Sequence, residues 1–237
     1  RGIEIRHRRP RRSIACGEPD EMATGGRGGA DYFTDVAAGD IAIKNVADLY
    51  LYPNTIRAVK ITGGQVKDWL ERSAGAFNQI TPGGADQPLL NPDFPSYNYD
   101  VIDGVTYEID VTQPARYAIN GQLANPNAQR IRNLNFGGKP IDPQARFIVA
   151  TNNYRATSGA SFIPKLDGSS AIWASPDANR DVVIEYVRKN PQITRAANGA
   201  AKSWRFAKVT TAGPVVFSSG TNALSVAQAA GLSGVSM

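Results

Sequence analysis

The residues best placed to do chemistry in this chain lie in one stretch, RFIVATNNYRATSGASF, from Arg146 to Phe162. An apolar run (Phe147, Ile148, Val149, Ala150) feeds a polar segment with two asparagines, Tyr154, Arg155 and Gly159. A buried strand that delivers an aromatic and small residues onto a loop is a common way to build a ligand platform. An ordinary strand followed by an ordinary loop explains the same pattern, and taken alone the stretch slightly favours that plainer reading.

Other chemistries are poorly supplied. His7 is the only histidine and Cys16 the only cysteine. A catalytic zinc or dinuclear centre draws on several imidazoles or thiolates, and a Ser-His-Asp triad needs one well-placed imidazole. Carboxylate-only chemistry stays open, although Asp100, Asp103, Asp110 and Asp142 read as turn or sheet-face acids. Of the 26 basic residues, six arginines fall within residues 1–12 against a single acid there, and the rest of the 237-residue chain is neutral. A nucleic-acid surface would cluster its cations within the folded body, so nucleic acid is not the expected partner. Arg27 and Arg57 could each neutralise an anion, but read as surface charges. No run of about 18 apolar residues is present, so no membrane-spanning helix is expected.

The elements around these residues follow from pattern. Residues 1–23 have neither a helical period nor an apolar signal core and read as a disordered or non-native basic leader, with residues 24–237 as the domain. Gly25-Gly26-Arg27-Gly28-Gly29 marks a turn. A short helix is expected within residues 40–48, an apolar strand at Leu49–Tyr52, and a further extended run from Thr55 to Ile61, broken by Gly63-Gly64. The clearest helix runs from Gln65 to Phe77, with Val66, Trp69, Leu70 and Phe77 inward and Lys67, Asp68, Glu71 and Arg72 off that face. Asp103-Gly104 predicts a type I′ hairpin, whose second arm alternates Val105, Tyr107, Ile109 and Val111 inward. Strands are expected at Arg130–Phe136, Trp204–Lys208 and Pro214–Phe217. A helix is expected to start at Ser175-Pro176-Asp177 and to pack Val182, Val183, Tyr186 and Val187, and a last helix at Ala223–Leu232. Strands outnumber helices and the connections are mixed, which predicts an α+β fold with a mixed sheet.

Four long blocks carry a family resemblance: GDIAIKNVADLYLYPNT, ITGGQVKDWLERSAGAFNQI, FPSYNYDVIDGVTYEIDVTQPARY and GKPIDPQARFIVATNNYRA. Over roughly residues 25–210 the chain resembles the C-terminal domain of the 5′-nucleotidase family. Within that family it is most similar to the branch of bifunctional 2′,3′-cyclic-nucleotide 2′-phosphodiesterase/3′-nucleotidases. The resemblance implies a two-part hydrolase, periplasmic or secreted and used in nucleotide catabolism. An N-terminal metallophosphoesterase domain of the same polypeptide would hold two divalent metals, and the C-terminal domain would bind the nucleotide or nucleoside. It further implies that Tyr52 and Tyr154 line the base site, that Arg155, Ala156, Thr157, Ser158, Gly159 and Ala160 contact the ligand, and that Tyr97 is a secondary stacking residue. The branch usually continues after NNYRA with a second aromatic, two glycines and a lysine, from which Thr157, Ser158, Gly159 and Ala160 depart. This chain would then carry no catalytic or metal-ligating residue of its own and would stop short of the family's last strands. The rival expectations are a stand-alone nucleotide-binding module and, less favoured, a nucleic-acid binder acting through the arginine-rich leader.

Overall fold

A computed structural model describes the backbone of residues 13–17, and residues 38–47, 49–50, 52–157, 168–199 and 202–216. The Gly25–Gly29 turn with Arg27, most of the leader, Ser158, Gly159, Ala160 and the C-terminal helix expected at 223–232 lie outside the described residues.

The described elements, in chain order, begin with β1 (Ser13–Gly17), α1 (Ile43–Ala47), β2 (Thr55–Thr62) and α2 (Gly63–Ser73). They continue with β3 (Gln87–Pro88), β4 (Val101–Asp103), β5 (Val105–Ile109), β6 (Ile131–Phe136), β7 (Lys139–Pro140), β8 (Arg146–Asn152) and α3 (Asn153–Thr157). The last are β9 (Ala171–Ala178), α4 (Asn179–Lys189), α5 (Arg195–Asn198), β10 (Trp204–Phe206) and β11 (Val215–Val216). One sheet of five strands has the order β4-β1-β8-β2-β9, a second of four has β10-β5-β6-β7, and β11 pairs with β3. Both sheets of three or more strands mix parallel and antiparallel pairs, as the α+β reading requires.

The core is built where period-two patterns meet one amphipathic helix. Val59 and Ile61 of β2, and Phe147 and Val149 of β8, point the same way and are buried with Trp69 and Leu70 of α2. In β5 and just beyond it, Val105, Tyr107, Ile109 and Val111 are all buried, as their alternation predicts. Phe77, Tyr99, Trp204 and Phe206 close the second sheet through edge-to-face and tilted ring contacts, with centroids 4.9–5.9 Å apart.

Several local expectations are corrected. Gly63-Gly64 does end the strand at Thr62, but it is also the first turn of α2, two residues before the expected helix start. Thr62 caps the helix, its Oγ1 accepting from the Gln65 amide (3.2 Å) while the Gln65 side chain accepts from the Thr62 amide (2.9 Å). A Cβ at position 63 would stand 2.3 Å from the Asp142 carbonyl oxygen, so glycine is what lets the helix start against that loop. Glu71 and Arg72, expected off the apolar face, are 1% and 4% exposed. The Glu71 carboxylate accepts from the amides of Arg130 (3.0 Å) and Ile131 (2.9 Å), which satisfies it inside.

Asp103-Gly104 does turn the chain, with Gly104 at φ +86°, but Asp103 lacks the positive φ of a type I′ turn and no hairpin forms. β4 pairs with β1 and β5 pairs with β6, so the turn passes the chain from one sheet to the other. Leu49–Tyr52 is not a strand among the described residues, and the strand begins only at Thr55. α4 starts at Asn179 rather than Ser175, because Ser175–Ala178 is still extended in β9. The Ser175 hydroxyl instead accepts from the Asp177 amide at 3.1 Å. No described residue of α4 is buried, and Val182 and Tyr186 are exposed rather than packed. Finally, Ser13–Gly17, assigned to the leader by composition, lies between β4 and β8 in the larger sheet.

Candidate functional site

The antiparallel register of β2 on β8 decides where the tyrosines go. Ile56 stands opposite Asn152, so the chain entering β2 and the chain leaving β8 emerge at the same end of the sheet. Tyr52 lies in the first segment and Tyr154 in the second. Both keep an exposed side chain, at 40% and 39% of its accessible surface, where most aromatics in such a fold are buried.

Asparagines hold the two segments together. The Asn153 side-chain oxygen accepts from the Thr55 amide at 2.8 Å. Asn54 and Asn152 both donate their side-chain amides to the Tyr50 hydroxyl, at 2.9 and 3.3 Å. The Asn54 carbonyl accepts from the Asn179 amide (2.8 Å), which brings the start of α4 to the same edge. Asn152 also accepts from the Arg155 amide (2.8 Å), and the Thr157 hydroxyl donates to the Asn153 carbonyl (2.7 Å). These bonds fix the short helix α3 that presents Tyr154, a segment too short to stabilise itself.

Arg155 faces the other way. It is fully buried, and its Nε donates to both oxygens of Asp100, at 2.9 and 3.1 Å. Nη2 donates to the Tyr97 carbonyl at 2.6 Å, and Nη1 to the Asn98 side-chain oxygen at 3.3 Å. The same guanidinium carbon lies 5.6 Å from the centre of the Tyr154 ring. Tyr97, in a short 3₁₀ turn (Ser96–Asn98), is thereby drawn to the edge that carries Tyr154. Arg155 reaches this edge as the brace between two tyrosine-bearing segments, with its charged group turned inward. Ala156 is also buried, whereas Thr157 is exposed.

Asp100 is corrected outright from a turn or sheet-face acid to a buried one, 2% exposed. It accepts from the Trp69 indole N–H at 2.7 Å, and its backbone exchanges bonds with the Ser73 hydroxyl. Burial pushes its carboxyl above the ordinary range, and the charge of Arg155 and the bonds from Trp69 and Arg155 pull it back. Sequence reasoning missed Asp100 and Ser73. The signal was the FPSYNYD block, but nothing in it says that the acid points inward.

Among the described residues no group of three or more His, Cys, Asp or Glu side chains is placed to hold a metal ion. The residues gathered at this edge are tyrosines, asparagines and one buried ion pair. They do not fit a metal centre, and what they can do is bind a flat, polar-edged ligand.

Comparison with known proteins agrees with this architecture. The profile of the family described as 5′-nucleotidase, C-terminal domain, matches residues 22–167. The trifunctional nucleotide phosphoesterase protein YfkN of Bacillus subtilis is 50% identical over 197 residues, which are 83% of this chain and 13% of that protein. A 2′,3′-cyclic-nucleotide 2′-phosphodiesterase/3′-nucleotidase of Yersinia enterocolitica is 50% identical over 189 residues, 77% of this chain and 28% of that one. The chain thus spans 13% to 28% of the length of the relatives it matches at about half identity. Among solved structures, a putative 5′-nucleotidase from Staphylococcus aureus has a TM-score of 0.59 at 22% identity, over 82% of this chain and 33% of that one. A 5′-nucleotidase precursor from Thermus thermophilus has 0.56 at 14%, over 83% and 32%. At those identities the structures speak to the fold alone.

Proposed function

The chain belongs to the 5′-nucleotidase C-terminal domain family, and from that premise we propose that it is the nucleotide-binding, substrate-specificity domain of a metal-dependent hydrolase. The substrates would be 2′,3′-cyclic nucleotides and 3′-nucleotides, the reactions named for relatives such as the Yersinia protein. The use would be nucleotide catabolism, in a periplasmic or secreted polypeptide. No described helix is long and apolar enough to cross a membrane.

The observation that carries this reading is the pair of exposed tyrosines, Tyr52 and Tyr154, on segments tied by the Thr55–Asn153 hydrogen bond. A base stacked on an aromatic face gains about 1–3 kcal/mol whatever its identity, because every base has a π-face. Tyr154 supplies the face set on α3, and Tyr52 the face on the neighbouring segment. Tyr97, whose carbonyl Arg155 holds, is taken as a secondary stacking residue. Arg155 positions Tyr97 and Tyr154 from behind without touching the ligand, and Thr157 through Ala160 remain part of the proposed contact surface. Hydrolysis itself is assigned to a phosphoesterase domain elsewhere in the polypeptide, which supplies two metals and the attacking water. No step of it is routed through residues of this chain.

Titration calorimetry of the chain with adenosine, guanosine, cytidine and 3′-AMP tests the reading. Each nucleoside is expected to bind, with affinities spread over no more than about tenfold, since stacking tolerates every base. Absence of binding for all four ligands, or a single base accepted and the others refused, would count against a stacking slot.

A further inference from the structure

β2 carries a cation where its neighbours carry core. Val59 and Ile61 are buried, and the two-residue period puts Arg57 on the same face, opposite Thr151 of β8 and Ala174 of β9. Arg57 is the next residue of that row toward the end of the sheet where Tyr52 and Tyr154 emerge. Its side chain is half-buried.

Its hydrogen bonds all come from Nη1. They go to the Thr55 hydroxyl (2.7 Å), the Ile56 carbonyl (3.0 Å) and the Ser175 carbonyl (3.3 Å). These acceptors are neutral. Arg155, Arg116 and Arg132 each meet a carboxylate, from Asp100, Asp68 and Asp110. Arg57 meets none among the described residues, and its Nε and Nη2 donors have no acceptor there. Withdrawing a cation from water without an anion is unfavourable. Three oxygen dipoles hold this guanidinium in place without cancelling its charge.

The position connects it to the base slot. The Thr55 hydroxyl that takes Nη1 belongs to the residue whose amide donates to Asn153, directly before Tyr154. Thr55 is also three residues beyond Tyr52. A planar guanidinium with two donors open suits a phosphate better than any neutral group.

We propose that Arg57 receives the phosphate of the nucleotide whose base lies against Tyr52 and Tyr154, and so sets the preference for nucleotide over nucleoside. This rests on the base-slot reading above. The competing role is mechanical: Arg57 straps β2 to β9 through the Ser175 carbonyl and never meets a ligand.

The test is calorimetric titration of adenosine and 3′-AMP into wild type, Arg57→Met and Arg57→Lys, at low and high salt. Wild type is expected to bind 3′-AMP about tenfold tighter than adenosine, the size of one charge-assisted contact. Arg57→Met should bring that ratio to about one by weakening 3′-AMP alone, and Arg57→Lys should keep part of it. High salt should shrink the wild-type ratio, a readout that does not depend on any variant folding. A ratio unchanged by Arg57→Met or by salt overturns the proposal, as does an equal loss for both ligands, which is the signature of a strap. A wild type that binds adenosine without preferring 3′-AMP overturns it while leaving the base slot standing. A wild type that binds neither overturns both.

Discussion

Arg155→Met is expected to cost about 3–5 kcal/mol of folding stability, because it strands a buried carboxylate. Asp100 would keep its bond from Trp69 but lose the charge that faces it, at a site where only 2% of the residue is exposed. Urea denaturation should therefore show a midpoint shift of a large part of the total stability of a domain this size. Adding Asp100→Leu should return much of the loss, since an apolar replacement of both partners removes the desolvated charge altogether. Recovery should be incomplete, because the Trp69 N–H is then without its acceptor. Binding should not recover with stability. The Tyr97 carbonyl and the Asn98 side chain lose their donors in either variant, and the two tyrosine segments lose their brace. A stable double variant with wild-type nucleoside affinity would refute the positioning role given to Arg155.

The second large effect concerns chemistry. The isolated chain is expected to release no phosphate from 3′-AMP or 2′,3′-cyclic AMP, with or without added divalent metal. Joined to a phosphoesterase domain of its family, it should support release at enzymatic rates, at least about 10⁶-fold above the uncatalysed reaction. The ground is the proposed division of labour, in which this chain binds the nucleotide and a phosphoesterase domain supplies the metals; the described side chains at the site are tyrosines, asparagines and a buried Asp100–Arg155 pair. Phosphate release should be followed colorimetrically on chain freed of contaminating phosphatase. Turnover that scales with this chain and vanishes on adding a chelator would contradict the division of labour.

Much of the fold was legible in the sequence because its causes are local. Alternation in Val105–Val111 and the helical face of Val66, Trp69 and Leu70 state which side meets the core. What could not be read is held by partners distant in sequence. Glu71 is buried because the amides of Arg130 and Ile131 come to it, and Asp100 because Arg155 does. A charged residue carries no local mark of such a partner, so both acids looked like surface groups. The Asp103-Gly104 turn teaches the same lesson: a turn forms there, though not type I′ because Asp103 keeps a negative φ, while the pairing of its arms is decided by β1 and β6. β1 itself was hidden by the arginines before it.

At the proposed site, Tyr52 and Tyr154 were chosen by resemblance, and the β2–β8 register explains why residues about a hundred positions apart reach one edge. Arg155 was grouped with them by adjacency in sequence. A helical step separates their directions: Tyr154 turns to solvent and Arg155 to the core.

The most direct test of the base slot is the affinity of adenosine for wild type, Tyr52→Ala, Tyr154→Ala and the double variant. Both tyrosines are exposed, so neither truncation should disturb the core. Each single variant is predicted to lose about 1–3 kcal/mol, roughly 5- to 150-fold in affinity, and the double variant more than either. Equal affinity in all four proteins would contradict the account.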